Sequence, residues 1–369
     1  MGTKIHRMNP SETVRHKVSL DLLRALAILL VLGRHSFSSG LWHRLGWSGV
    51  DLFFVISGFL VSGLMFGELK NTGNMRIGRF LARRALKIYP SFYLFLLVSL
   101  LAAWFTDRSI TGLQIISEVF YLQSYIDGMW MHTWSLSVEE HFYLIMAMVL
   151  AIWQRRGFPM NVSRTMLLLV MSLCLLIALR FVYCWPHRGE NWFAFSATHM
   201  RADGIWIGII LAYAYHFGSL QAWLNTKRWL FALVFVIALA TLYFFSAGSH
   251  AMNTWGMTVV CLGYGGLLCL CLGWESQLQR WKSSEHTSAT KRRALSVVST
   301  IGKHSYSIYL WHLFADNLLV KLGIFDAMGW VYGGVGAGLC TVGVSVGLGL
   351  LLGYLIENPI LAWRNRKLK

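Results

Sequence analysis

The stretch LDLLRALAILLVLGRHSFSSG, Leu20 to Gly40, decides the fold. Its apolar run is close to the roughly 20 residues that cross about 30 Å of hydrocarbon, yet it holds Asp21, Arg24, Arg34 and His35. A charge at the bilayer centre costs at least about 2.5 kcal/mol, so charges there are rare and tend to be functional. The segment reads as a membrane-spanning helix with chemistry on one face. His35 follows Arg24 by 11 residues. That is about three helical turns plus 20°, about 16 Å along the axis, so the two share a face. Asp21, three residues before Arg24, is placed to pair with it. Arg34 points about 80° off this stripe and is expected to snorkel to the interface.

Outward from this helix, similar apolar stretches recur to the end of the chain. With 56% hydrophobic and 13% charged residues and a mean hydropathy of +0.53, the composition excludes an ordinary soluble domain. Spans are expected near 19–37, 50–67, 88–105, 139–154, 166–185, 201–217, 229–246, 254–273, 304–320 and 330–356. The expected fold is all-α, a polytopic membrane helix bundle with about ten transmembrane helices. Residues 1–18 and 357–369 are expected as tails on one transmembrane domain, 19–356.

The formal net charge of +17 would suit nucleic acid if it were gathered on one surface. Instead most Lys and Arg fall in alternate connections between spans, the positive-inside pattern, which excludes that partner and makes the lipid bilayer the expected one. Both termini are then cytoplasmic and the protein is a multi-pass resident of the inner, cytoplasmic membrane. No cleavable signal peptide is expected, because residues 1–18 are polar and the first apolar segment lacks a small-residue cleavage site.

The six cysteines lie in apolar spans without CxxC or Cys/His spacing, so packing is their expected role and no metal is predicted. Segment 274–296, rich in Ser, Thr and Lys, reads as a flexible connector. The run GGVGAGLCTVGVSVGLGLLLG (333–353) is expected to allow close helix packing and is not read as a phosphate loop.

Polar residues gather at two levels. Asp51 in GWSGVDLFF, Glu139 in HTWSLSVEEHFYL, and Arg201 and Asp203 in THMRADGIWIGI open later spans near the level of His35. One acid at a helix start is commonly a cap or dipole partner, but together these outline a polar cavity. Imidazole beside a carboxylate takes a proton from a hydroxyl near neutral pH, which suits group transfer to an alcohol. At the other level, MRIGRFLARRALKIYP places Arg76, Arg79, Arg83, Arg84 and Lys87 at the entry to the third span, where Pro90 is expected in the first turn. Such a cluster binds phosphate or anchors to anionic lipid.

These stretches together resemble the acyltransferase family 3 membrane proteins, which carry acyl groups, usually acetyl, from cytoplasmic coenzyme A thioesters to saccharides or other hydroxylated acceptors. LDLLRALAILLVLGRH is similar to the family's Arg, ten residues, His element, carried here by Arg24 and His35. SGVDLFFVISGFLVSG is similar to the segment that follows, with Asp51 at the acidic position. RFLARRALKIYP resembles the basic motif, with Lys87 where arginine is usual. HTWSLSVEEHFYL resembles the Trp-Ser-Leu-Ser-Val-Glu element, which places the acid at Glu139 in preference to Glu140. MRADGIWIG, IGKHSYSIYLWH and ENP resemble later elements, with Arg201, Asp203, Tyr306, Tyr309 and His312.

The resemblance implies a membrane O-acetyltransferase with acetyl-CoA as donor, its phosphates held by Arg84 and Lys87 with help from Arg79 or Arg83. It implies Arg24 at the pantetheine or at the thioester oxyanion, His35 as general base oriented by Asp51 or Glu139, and a polar cavity completed by Arg201, Asp203, Tyr309 and His312. Direct transfer and a covalent acetyl relay through His35 or another group both stay open. The implied acceptor is a saccharide of a surface polysaccharide, a lipopolysaccharide O-antigen or a lipid-linked precursor, with a small molecule such as a macrolide as the alternative. Trp42, Trp47, Trp130 and Trp134 either stack on sugar rings or form interfacial aromatic belts. The rival class is a transporter with a buried polar pathway. Oligomeric state has no sequence signal.

Overall fold

A computed structural model of the chain describes residues 17–157, 161–187, 192–284 and 287–368. The expected N-terminal tail thus lies outside the described residues except for Lys17 and Val18. All regular structure among the described residues is helical. In chain order the helices are α1 (Val18–Ser36), α2 (Gly40–Gly46), α3 (Gly49–Thr72), α4 (Ile77–Phe105), α5 (Gly112–Val119) and α6 (Trp134–Arg155). Next come α7 (Val162–Cys184), α8 (Trp192–Ser196), α9 (Thr198–Phe217), α10 (Leu220–Thr226), α11 (Arg228–Phe244) and α12 (Met257–Gly273), the last preceded by a π-turn at Met252–Gly256. Then follow α13 (Glu275–Ser283), α14 (Ala289–Lys303), α15 (Ser305–Lys321), α16 (Ile324–Ala327), α17 (Val335–Leu352), a π-turn at Gly353–Glu357 and α18 (Asn358–Lys367).

All ten expected stretches are helical. Among the described residues, six helical segments are long and apolar enough to cross a bilayer: α3, α4, α6, α7, α12 with its π-turn, and the run from α17 through α18. The pair α8–α9 and α10, bent by 96°, makes up to seven. Three expected spans fall outside this set. Helix α1 carries the charges Asp21, Arg24 and Arg34, while α11 and α15 have 17 residues each.

Two local expectations are corrected. Helix α4 starts at Ile77, so Arg79, Arg83, Arg84 and Lys87 are helical, Arg76 is the N-cap, and Pro90 sits inside the helix instead of in its first turn. Proline removes one ladder donor; beside the interruption, the Tyr306 hydroxyl donates to the Ile88 carbonyl at 3.0 Å. Segment 274–296 is no simple connector, because α13 and α14 occupy most of it. Glu275 accepts from the backbone N–H groups of Val18 and Ser19 at 2.9 Å each, a carboxylate on the positive end of α1. At the C-terminal end, residues 358–367 are helical and Arg364, buried, donates to the Arg83 carbonyl at 3.1 Å.

Helix contacts explain why the apolar runs close into a bundle. Helices α3 and α9 cross at Gly58 and Gly208, where a methyl on either would strike the backbone of the other helix. Small residues at a crossing let two backbones approach closely in lipid. The Gly-rich run behaves this way only in part: Gly338 lies against Phe37 and Gly349 against Ile308, whereas Gly343 and Gly347 face open space. Helix α7 buries only Leu173, Arg180 and Cys184, as suits a helix whose apolar surface faces lipid.

Candidate active site

An open cavity is lined by Arg24 of α1, Phe53 and Ser57 of α3, Arg84 and Lys87 of α4, Ser135, Glu139, Glu140 and Tyr143 of α6, and Tyr306 and Tyr309 of α15. The cations are placed by helix geometry. Arg84 and Lys87 are three residues apart and share the cavity face, whereas Arg83 is turned about 100° from Arg84. Arg83 instead donates to the Leu368 carbonyl at 2.8 Å. Neither Arg79 nor Arg83 is among the lining residues. Asp21 holds Arg24 at 3.6 Å, as expected, and also accepts from the Ser299 hydroxyl at 3.0 Å.

The wall is tied together by polar contacts. The Arg84 guanidinium lies over the Tyr143 ring at 5.0 Å, and the Tyr143 hydroxyl donates to Glu139 Oε2 at 2.8 Å. Ser57 donates to Glu139 Oε1 at 2.7 Å. Glu140 also lines the cavity; its Oε2 accepts from Tyr89 at 3.1 Å, and its Oε1 is buried without a partner.

His35 does not line this cavity. The path to it runs through Tyr309, whose hydroxyl donates to the His132 carbonyl at 2.7 Å and shares a 2.6 Å bond with Ser135. The Tyr309 and His312 rings are 5.6 Å apart, and His312 lies between His35 at 5.1 Å and His132 at 5.0 Å, centre to centre. Asp51 and Glu139 were the acids expected to orient His35, but both bond elsewhere.

Asp51 belongs to a third group. Its Oδ1 accepts from Arg201 Nη2 at 2.6 Å and from the Cys261 thiol at 3.6 Å. Alongside, Asp203 Oδ2 accepts from Arg180 Nη1 at 2.7 Å and from the Thr258 hydroxyl at 2.8 Å. The Arg201 guanidinium also lies 5.5 Å from the Trp134 ring and 5.1 Å from Phe195. The single polar cavity expected for Asp51, Glu139, Arg201 and Asp203 is therefore divided. Desolvated ions need counterions, and the packing of α3, α7 and α9 supplies them away from the cavity.

Other placements also differ from expectation. Trp47, Trp130 and Trp134 are buried, and Trp42 donates to the Leu29 carbonyl at 2.7 Å, so the four do not form a sugar platform. Arg34 bonds His43 of α2 at 2.7 Å. Two residues were missed in sequence: Arg180, the lone charge in a long apolar run, carried the same signal as α1. His132 carried none, because it lies in a connection whose path no periodicity predicts.

The chain matches the model of acyltransferase family 3, described as an acyltransferase domain, over residues 17–353. It belongs to this family. It is similar to the O-acetyltransferase OatA of Staphylococcus aureus, 26% identical over 336 residues that cover 85% of this chain and 53% of the relative. It is also similar to the peptidoglycan O-acetyltransferase OatA of Listeria monocytogenes, 26% identical over 320 residues that cover 80% of this chain and 48% of the relative. The chain spans about half the length of these curated relatives. No solved structure matches it.

For a member of acyltransferase family 3 the division of labour is chemically coherent. The cavity gathers three cations, Arg24, Arg84 and Lys87, a donor set suited to phosphate oxygens. The neighbouring histidines offer nitrogen bases, and Tyr309 lines the cavity while its ring stands 5.6 Å from that of His312.

Proposed function

We propose that this protein is a multi-pass inner-membrane O-acyltransferase that moves an acetyl group from cytoplasmic acetyl-CoA to a hydroxyl of a saccharide. The observation that carries this reading is one cavity bounded by Arg24, Arg84 and Lys87 and walled by Tyr309, with His312 and His35 behind that wall. The cationic mouth suits the donor's phosphates; Lys87 keeps the charge there but lacks arginine's bidentate fork. Positive-inside asymmetry supports placing this mouth and both termini in the cytoplasm, with about ten spans between them. The names of the relatives support acetyl as the group and a cell-wall glycan as the acceptor class. Membership of an acyltransferase family weighs against the transporter reading.

In the proposed reaction Arg24, about 16 Å along the helix from His35, holds the pantetheine arm so that the thioester reaches His35. His35 takes the proton of the acceptor hydroxyl as the oxygen attacks the carbonyl carbon. The carbon–sulfur bond breaks, and coenzyme A leaves as the thiol once it is protonated. Purified protein given radiolabelled acetyl-CoA and candidate glycans should release free coenzyme A and label the glycan. The reading fails if no coenzyme A appears above background and His35→Ala leaves cellular O-acetylation intact. Brief exposure to the donor without acceptor separates the two routes: label retained on denatured protein marks the relay, and its absence marks direct transfer.

A further inference from the structure

Among the described residues no carboxylate, the group that usually orients a catalytic imidazole, bonds His35. Asp51 is bonded to Arg201, Glu139 to Ser57 and Tyr143, and the nearest charge on its own helix, Arg34, is turned to His43. What faces His35 is His312, and behind it His132.

The tautomers of these two neighbours follow from their partners. His312 Nδ1 lies 2.6 Å from the Tyr309 carbonyl oxygen, which can only accept, so Nδ1 carries the proton and Nε2 keeps its lone pair. His132 Nε2 lies 3.2 Å from the Leu310 carbonyl, so its Nδ1 keeps the lone pair. Both of those second nitrogens, His312 Nε2 and His132 Nδ1, are buried without any partner. The side chains are only 2% and 3% exposed. A buried acceptor left unpaired costs about 1–3 kcal/mol, so a donor is expected to meet it at some stage of the cycle.

We infer that His312 is the positioning residue for His35: its Nε2 accepts a hydrogen bond from a ring N–H of His35 when His35 takes the acceptor's proton. Ring centres 5.1 Å apart permit a bridge from nitrogen to nitrogen after a small ring rotation. A neutral imidazole then does what a carboxylate does elsewhere, fixing the tautomer of the base and sharing the positive charge. The Tyr309 carbonyl holds His312 in place, and His132 presents the next lone pair in the row. Because Tyr309 also walls the cavity, the donor site and the base are set by one helix, α15. The inference rests on the reading of His35 as general base.

Two substitutions separate positioning from simple packing. His312→Asn keeps a donor for the Tyr309 carbonyl but has no acceptor at the ε position; His312→Gln keeps an ε acceptor and weakens the Tyr309 bond. Positioning predicts that H312N lowers kcat by about 100-fold with the KM for acetyl-CoA nearly unchanged, and that H312Q retains more of the rate. Equal rates for the two variants, or H312N the faster, would overturn it. Rates are normalised to protein that melts like wild type in detergent. If either variant does not fold, His312→Ala is assayed with added imidazole: recovery of kcat supports positioning, and no recovery overturns it. Wild-type protein that transfers no acetyl, or His35→Ala at wild-type rate, refutes the acyltransferase reading itself and is thereby distinguishable.

Discussion

Arg201 and Asp51 meet at 2.6 Å with no more than 1% of either side chain exposed. The pair joins α9 to α3 inside the bundle. An ion pair so deeply buried is a poor site for chemistry but a strong constraint on packing, since either ion alone would be left uncompensated. Removing one partner, by Arg201→Ala or Asp51→Asn, is expected to cost about 3–5 kcal/mol. Thermal unfolding in detergent should show this as a large drop in Tm. A D51N variant with wild-type Tm and no activity would instead return Asp51 to the catalytic site.

The cavity cations give a split between neighbouring arginines. Charge-assisted hydrogen bonds contribute about 1.5–3 kcal/mol, so Arg84→Ala or Lys87→Ala should raise the KM for acetyl-CoA by about tenfold or more. Arg83→Ala should leave it nearly unchanged, because Arg83 bonds the Leu368 carbonyl outside the cavity. Initial rates at varied acetyl-CoA check this. Equal effects at Arg83 and Arg84 would mean that the face of α4 carrying Arg83 also holds the donor.

Glu139→Gln tests the wall. The carboxylate accepts from Ser57 on one oxygen and Tyr143 on the other, and an amide has only one acceptor oxygen. One hydroxyl must turn to accept from the amide N–H, exchanging a charge-assisted bond of about 1.5–3 kcal/mol for a neutral one of about 0.5–1.5 kcal/mol. Because Tyr143 also supports Arg84, the expected result is a lower Tm together with a higher KM for acetyl-CoA. A fall in kcat alone would indicate that Glu139 acts on the acceptor.

Glu118 holds the connection that delivers His132. Its carboxylate accepts from Gln123 Nε2 at 2.6 Å, the Met129 N–H at 2.9 Å, the Trp130 N–H at 3.3 Å and the Thr133 hydroxyl at 3.0 Å. Glu118→Ala strands these donors and should loosen residues 120–133. Amide hydrogen exchange at Met129 and Trp130 should rise, with kcat falling as His132 loses its place. Unchanged exchange would show that the connection holds without its anchor.

What the sequence alone determined is what helix periodicity and lipid solvation dictate locally. The all-helical fold, the helical position of the ten stretches and the Asp21–Arg24 pair follow from spacing within single helices, whereas the shared face of Arg84 and Lys87 follows from the early start of α4 at Ile77. A resemblance covering the motifs added the family, which the match over 17–353 shows.

The tertiary structure alone decided which polar groups are partners. Asp51 and His35 both stand near helix ends, yet Asp51 turns to Arg201 and His35 to His312. A buried charge takes whichever counterion the crossing of helices brings within reach. That crossing depends on contacts such as Gly58 with Gly208, between residues far apart in the chain. Periodicity along one helix says which residues share a face; it says nothing about which helix that face will meet.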